Sequence, residues 1–129
     1  MELRRAVERM NFGERPRYRT DAREVIGSEC QDCHVRSWPG RAICHRCGSP
    51  CVEDVVLAGR GTVQTYTVVH VARPGLDVPY VLGLVILDDN VRLYAHLRNM
   101  PPDVRLPCPV SVNFAADRHA VPPFWFEPA

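Results

Sequence analysis

The sequence predicts a mainly β protein: N-terminal short helices, a rubredoxin-like zinc ribbon, then a five-stranded OB-fold barrel. Three observations predict it. Two Cys-x2-Cys pairs, Cys30-Gln31-Asp32-Cys33 and Cys44-His45-Arg46-Cys47, stand ten residues apart. From Val55 onward the texture turns to Val, Thr and Tyr, which suit a pleated, half-buried surface. A Gly59-Arg60-Gly61 bend or bulge leads the first and longest of five such stretches. The expected division is 1–27 as a helical segment, 28–54 as the ribbon and 55–129 as the barrel.

Leu3, Ala6, Val7 and Met10 recur at i, i+3, i+4 and i+7, one apolar stripe of a short helix. Asn11-Phe12-Gly13 ends it, and the stretch around Pro16 reads as a linker. Thr20 or Asp21 can cap a second short helix through Val25-Ile26, with Gly27 as its stop. This part carries too little apolar surface to stand alone and must pack on something.

Each Cys-x2-Cys pair forms a tight knuckle that turns two sulfurs to one side, and a second knuckle closes a tetrahedral site. Cys30, Cys33, Cys44 and Cys47 are therefore the expected ligands of a structural Zn2+. The competing reading is a pair of disulfides. No apolar stretch of the secretory kind follows Met1-Glu2-Leu3-Arg4-Arg5, and the longest apolar run, Tyr80 to Leu87, is far short of a membrane span. A cytoplasmic location is expected, where thiols stay reduced and the pattern binds metal. Four protein ligands leave no open position for water, so such a metal holds the fold and does no chemistry. Trp38-Pro39-Gly40 reads as the ribbon tip, and His34 and His45 as solvent-facing neighbours of the ligands. Cys51 is expected to be a bystander thiol.

In the barrel, Thr62 to Val71 is the first strand. Val63, Thr65, Thr67, Val69 and Val71 would face one way, and Gln64, Tyr66, Val68 and His70 the other. Tyr80 to Leu87 is a central strand or one buried on both faces. Asp88-Asp89-Asn90 is a hairpin turn. Val91, Leu93, Ala95 and Leu97 alternate with Arg92, Tyr94, His96 and Arg98. Val110, Val112 and Phe114 mark a fourth strand, and Ala120 to Phe126 a fifth, with Pro122-Pro123 placing part of it at an edge. The apolar residues 122–126 close the core or dock on a partner.

Formal net charge is +1, and all sixteen basic residues are arginine. Residues 1–27 hold seven arginines against five acids. A nucleic-acid footprint would be a concentrated basic stripe, so nucleic acid is not the expected partner. No Gly-x-Ser-x-Gly elbow, P-loop or His-Glu-x-x-His occurs. Cys108 is the only cysteine of the barrel stretch, and nothing near it in sequence supplies a base. It is expected to be an inert thiol.

Together these stretches carry a resemblance. Cys30-x2-Cys33-x10-Cys44-x2-Cys47, Gly59-Arg60-Gly61-Thr62-Val63, Tyr66-Thr67-Val68-Val69-His70, Pro79-Tyr80 and Pro123-Phe124 occur in that order. Over about residues 28–128 the chain resembles the zinc-ribbon/OB-fold acyl-CoA-associated proteins, a family long catalogued as a domain of unknown function. Two departures stand out: the proline-rich stretch before the second knuckle is reduced to Pro39-Gly40-Arg41, and Pro107-Cys108-Pro109 replaces a glycine before the fourth strand. The resemblance implies no enzyme activity of its own. It implies an accessory subunit that binds a thiolase-like enzyme (thiolase, synthase or sterol side-chain aldolase) or a hydratase, and supports acyl-CoA binding or complex assembly. If a CoA thioester is contacted, its ring needs a stacking surface and its phosphates need arginine. Tyr66, His70 and Tyr80, with Arg60 and Arg73, are the candidates, Tyr94 being a further aromatic of the barrel. Ordinary packing is the plain reading of each. The alternatives are a nucleic-acid-binding zinc-ribbon/OB protein and a rubredoxin-like electron carrier with iron in the four-cysteine site.

Overall fold

The computed structural model describes residues 16–117 and 119–129. The helix expected at 1–10 lies outside the described residues. The second expected helix is not formed. Residues 20–23 make a turn, and the chain continues as strand. Val25 and Ile26 carry the reason: each is almost fully buried, and their neighbours in space come from strands far along the sequence, which a local pattern does not reveal.

The N-terminal sheet is built around β2 (Glu24–Cys30). β1 (Tyr18–Arg19) pairs with its start and β3 (Arg36–Ser37) with its end, both antiparallel. β4 (Val52–Val56) runs antiparallel along Ile26 to Cys30. Trp38, expected at the ribbon tip, instead leaves the sheet to pack on the barrel. Its ring meets Phe124 edge-on at 5.9 Å, and its indole N–H donates to the Arg17 carbonyl at 3.1 Å.

The rest of the chain is a closed five-stranded barrel. Its strands are β5 (Arg60–Val69), β6 (Tyr80–Leu87), β7 (Arg92–Leu97), β8 (Cys108–Phe114) and β9 (Phe124–Pro128). Around the barrel the order is β5-β6-β7-β9-β8, a small OB-like Greek key. β9 lies between β7 and β8, parallel to β7 at Leu97–Phe126 and antiparallel to β8. Pro122 and Pro123 precede this strand, so they cost it no ladder hydrogen bond. Phe126 is fully buried, and Val63, Val85, Leu87, Val91, Leu93 and Val110 fill the core with it. Val25 and Leu57 join the same cluster, so the N-terminal sheet and the barrel share one apolar interior.

β6 is central, as its unbroken apolar run requires. Gly83, Val85 and Leu87 face inward, and Leu82, Leu84 and Ile86 are half-buried outside. The Asp88–Asn90 turn joins β6 to β7, with Asn90 at φ 64°, a conformation asparagine tolerates. Gly61 is needed for close approach: a Cβ there would strike the Ile86 carbonyl and the Leu87 backbone. The first barrel strand differs from simple alternation. Of the bend or bulge expected at Gly59–Gly61, a bend is present at Gly59, and the bulge sits at Gln64, where the register slips between Val63 and Thr65. Beyond it Tyr66 and Val68, paired with Gly83 and Val81, share the inward face.

Candidate functional site

Cys30 is the last residue of β2, and the chain turns sharply after it. His34 N–H donates to the Cys30 carbonyl at 2.9 Å, and Cys33 N–H points at Cys30 Sγ at 3.5 Å. The second knuckle repeats the pattern. Gly48 N–H donates to the Cys44 carbonyl at 3.0 Å, while Arg46 and Cys47 N–H groups point at Cys44 Sγ at 3.3 and 3.5 Å. Gly48 sits at φ 76°, the left-handed conformation that glycine adopts without cost.

The two knuckles bring the four sulfurs within 4.8 Å of one another. Cys30 and Cys47, and Cys33 and Cys44, are each 3.5 Å apart at Sγ. A tetrahedron with metal–sulfur bonds of about 2.3 Å sets its sulfurs roughly 3.8 Å apart. The spacing fits one metal ion. The electrostatics fit as well. The Cys47 and Arg46 N–H groups lower the Cys44 thiol to about 6. The Ser49 N–H lowers Cys47, but hydrogen bonding with Cys30 and burial outweigh it and lift Cys47 to about 12. Four sulfurs this close cannot all ionise unless a cation neutralises them. His34, His45 and Cys51 are exposed and stand outside the set of four. Cys108 is half-buried, its thiol directed at the Pro109 carbonyl.

A polar joint ties this sheet to the barrel. The Arg36 guanidinium donates to Glu29 at 3.2 Å and to Asp89 at 3.1 Å. Asp89 also accepts the Ala58 N–H at 2.9 Å. Burial works against the Arg36 charge, and its hydrogen bonds to Glu29 and Asp89 outweigh that cost and raise its pKa.

The second feature is a cleft over the outer face of β6 and β7. Its first compartment, about 310 Å³, lies between the 70–79 and 115–123 loops and is lined by Leu76, Asp77, Tyr80, His96, Arg98 and Val121. The second, about 320 Å³, runs on between barrel and ribbon and is lined by Tyr18, Trp38, Tyr94 and Phe124 with Arg17 at its rim. His96, Val121 and Pro122 line both. Small barrels of this type bind ligands on this face, between these two loops. The Tyr80 and His96 rings are 5.3 Å apart. Burial, and secondarily the Arg98 charge, lower the His96 pKa and favour its neutral form. Arg98 stacks 3.9 Å over the Trp125 ring, whose indole N–H is anchored on Glu127 at 3.0 Å.

Of the five candidate contacts for a CoA thioester, Tyr80 lines this cleft. His70 and Arg73 are exposed on the loop at the same end of the barrel. Tyr66 lies on β5, on its inward but open side. Arg60 begins β5, about 30 Å of strand from that end. Sequence reasoning passed over His96, Arg98 and Trp38 as site residues. Their only local signal was alternation on β7 and a lone tryptophan. Their proximity is set by strand pairing.

Residues 54–115 match the ChsH2 C-terminal OB-fold domain. Over this stretch, a little under half of the chain, the barrel is similar to the ChsH2 C-terminal OB-fold family. Among the relatives is a DUF35 domain-containing scaffold protein of Methanocaldococcus jannaschii, 33% identical over 82 residues. That match covers 61% of this chain and 58% of the relative. The benzoylsuccinyl-CoA thiolase subunit BbsA of Thauera aromatica is 28% identical over 79 residues, covering 61% and 55%. The chain thus spans somewhat under three-fifths of these relatives. A solved structure described as the Ltp2-ChsH2(DUF35) aldolase superposes with a TM-score of 0.69 at 29% identity, covering 84% of this chain and 87% of that one.

Proposed function

We propose that this chain is a non-catalytic accessory subunit of an acyl-CoA-processing complex, with a thiolase-like enzyme as its partner. The observation that carries the reading is the likeness of ribbon plus barrel to the chain of the Ltp2-ChsH2(DUF35) aldolase. The thiolase subunit and scaffold names of the relatives support it. The four thiolates would hold Zn2+ as a closed structural site, with Cys30, Cys33, Cys44 and Cys47 as ligands. Such a site is best served by the reducing cytoplasm.

The cleft is the place where this subunit would touch a CoA thioester. Tyr80 and His96 offer ring faces, Arg98 a charge fixed by Trp125, and the Trp38–Phe124 compartment an apolar extension. This revises the contact set from the sequence: Tyr80 stays, and His96 and Arg98 take the place of Arg60 and Tyr66.

The test is affinity purification of the tagged chain from its host, read by mass spectrometry. A stoichiometric thiolase-fold or hydratase subunit supports the reading. Nuclease-sensitive ribosomal or polymerase components would replace it with the nucleic-acid one.

A further inference from the structure

The outer edge of β5 is the least explained surface among the described residues. β5 runs from Arg60 to Val69, but β8 pairs with it only from Arg60 to Val63. From Gln64 to Val69 the strand pairs with β6 on one side and, among the described residues, with no strand on the other.

The direction of its backbone groups follows from the ladder. Val112 N–H donates to the Gly59 carbonyl, while Asp88 N–H donates to the Arg60 carbonyl. Alternate residues therefore serve the two neighbours: Gly61 and Val63 point to β8, Arg60 and Thr62 to β6. The bulge at Gln64 resets the count. Thr65, Thr67 and Val69 then serve β6, and Tyr66 and Val68 turn their N–H and C=O groups to the open edge.

Among the described residues no strand covers this stretch of edge. Gly61 to Val69 contains no charged residue, and no proline interrupts it. Proteins blunt exposed edges with charges, prolines or a covering segment. Tyr66 and Val68 remain 40% and 43% exposed although they share the face of the core. Val71 and Leu106 add exposed apolar surface nearby.

We propose that β5 pairs with β5 of a second copy of this chain, antiparallel across a two-fold axis at Tyr66. A two-fold brings identical charges together, and this edge has none to oppose. Antiparallel partners share a face, which restricts the register to residues of like orientation. Centred on Tyr66, the pairs are Tyr66 with Tyr66 of the partner subunit, and Thr65 with Thr67 of the partner subunit. Aromatic and threonine cross-strand pairs are among the favourable ones. Both exposed apolar residues are covered.

Sedimentation of the full metal-loaded chain over a concentration series tests this. The wild type is expected to move from monomer to dimer. Tyr66→Lys sets two ammonium groups opposite each other and should weaken the dimer at least tenfold, with thermal unfolding near that of the wild type. Tyr66→Cys should form a disulfide dimer across the two-fold, and Gln64→Cys, displaced along the strand, should not. A wild type that stays monomeric at every concentration overturns the proposal. So does a folded Tyr66→Lys dimer of unchanged affinity, or equal cross-linking at both positions. A monomer that uses this edge only for a different subunit, lost in Tyr66→Lys, overturns it too.

Discussion

Arg36 on the ribbon and Asp89 on the barrel hairpin meet at 3.1 Å, across 53 residues of sequence. The pair is mostly shielded from solvent, and Asp89 also holds the Ala58 N–H. Asp89→Ala leaves both donors short of an acceptor. The expected loss is about 1–3 kcal/mol of stability, the range for an abandoned buried donor. Arg36→Met should cost less, since the Ala58 bond survives. Denaturant unfolding followed by tryptophan fluorescence checks both, because Trp38 sits at the seam. Equal stabilities for wild type and Asp89→Ala would mean the joint contributes nothing.

The four-thiolate site should carry one zinc per chain, colourless by absorption spectroscopy. Removing it with a strong chelator should unfold the knuckles, as metal binding and folding are coupled on a scale of roughly 10 kcal/mol. Cys44→Ser should lose most of the metal and lower the melting temperature sharply. Full zinc content in Cys44→Ser would overturn the ligand set, and a red, iron-containing protein would favour the electron-carrier reading.

His96 gives a pH dependence whose sign is fixed. Its pKa is lowered in the fold by burial and by Arg98, so the unfolded chain binds the proton more readily. Stability is undiminished above the ordinary histidine pKa of about 6.5. It falls as pH drops through that value, because the unfolded state gains more protons. His96→Gln should flatten this part of the stability–pH profile. An identical acid slope in wild type and variant would show that His96 does not contribute.

Phe126 decides whether the C-terminal aromatics are core or interface. It is fully buried between β7 and β8. Phe126→Ala should cost about 3–5 kcal/mol, and deletion of residues 122–129 should abolish cooperative unfolding. A truncated chain that keeps its melting transition would return these residues to a docking role.

The metal knuckles were legible because Cys-x2-Cys spacing is a local constraint. The alternation of Val91 to Arg98 was legible for the same reason, as was the Asp88–Asn90 turn. What escaped was set by pairing at a distance. Val25-Ile26 looked like a helix end, and becomes strand because β4 lies beside it. The slip at Gln64 leaves no mark in Thr62–Val69, yet it reverses the orientation of every residue after it. Trp38 was read as a tip because nothing local announces Phe124 as its neighbour. The cleft joins Tyr80 to His96 through the β6–β7 ladder, and to Val121 through a loop near the other end of the barrel stretch.

β9 is the strand that joins β7 to β8, and it is the last of the five to be synthesised. Until residue 128 has left the ribosome, β7 and β8 have no neighbour between them. Up to that point the nascent barrel is an open sheet with unpaired edges, the condition under which strands mispair. Whatever shields those edges during translation sets the yield of closed barrel as much as the stability of the finished fold does.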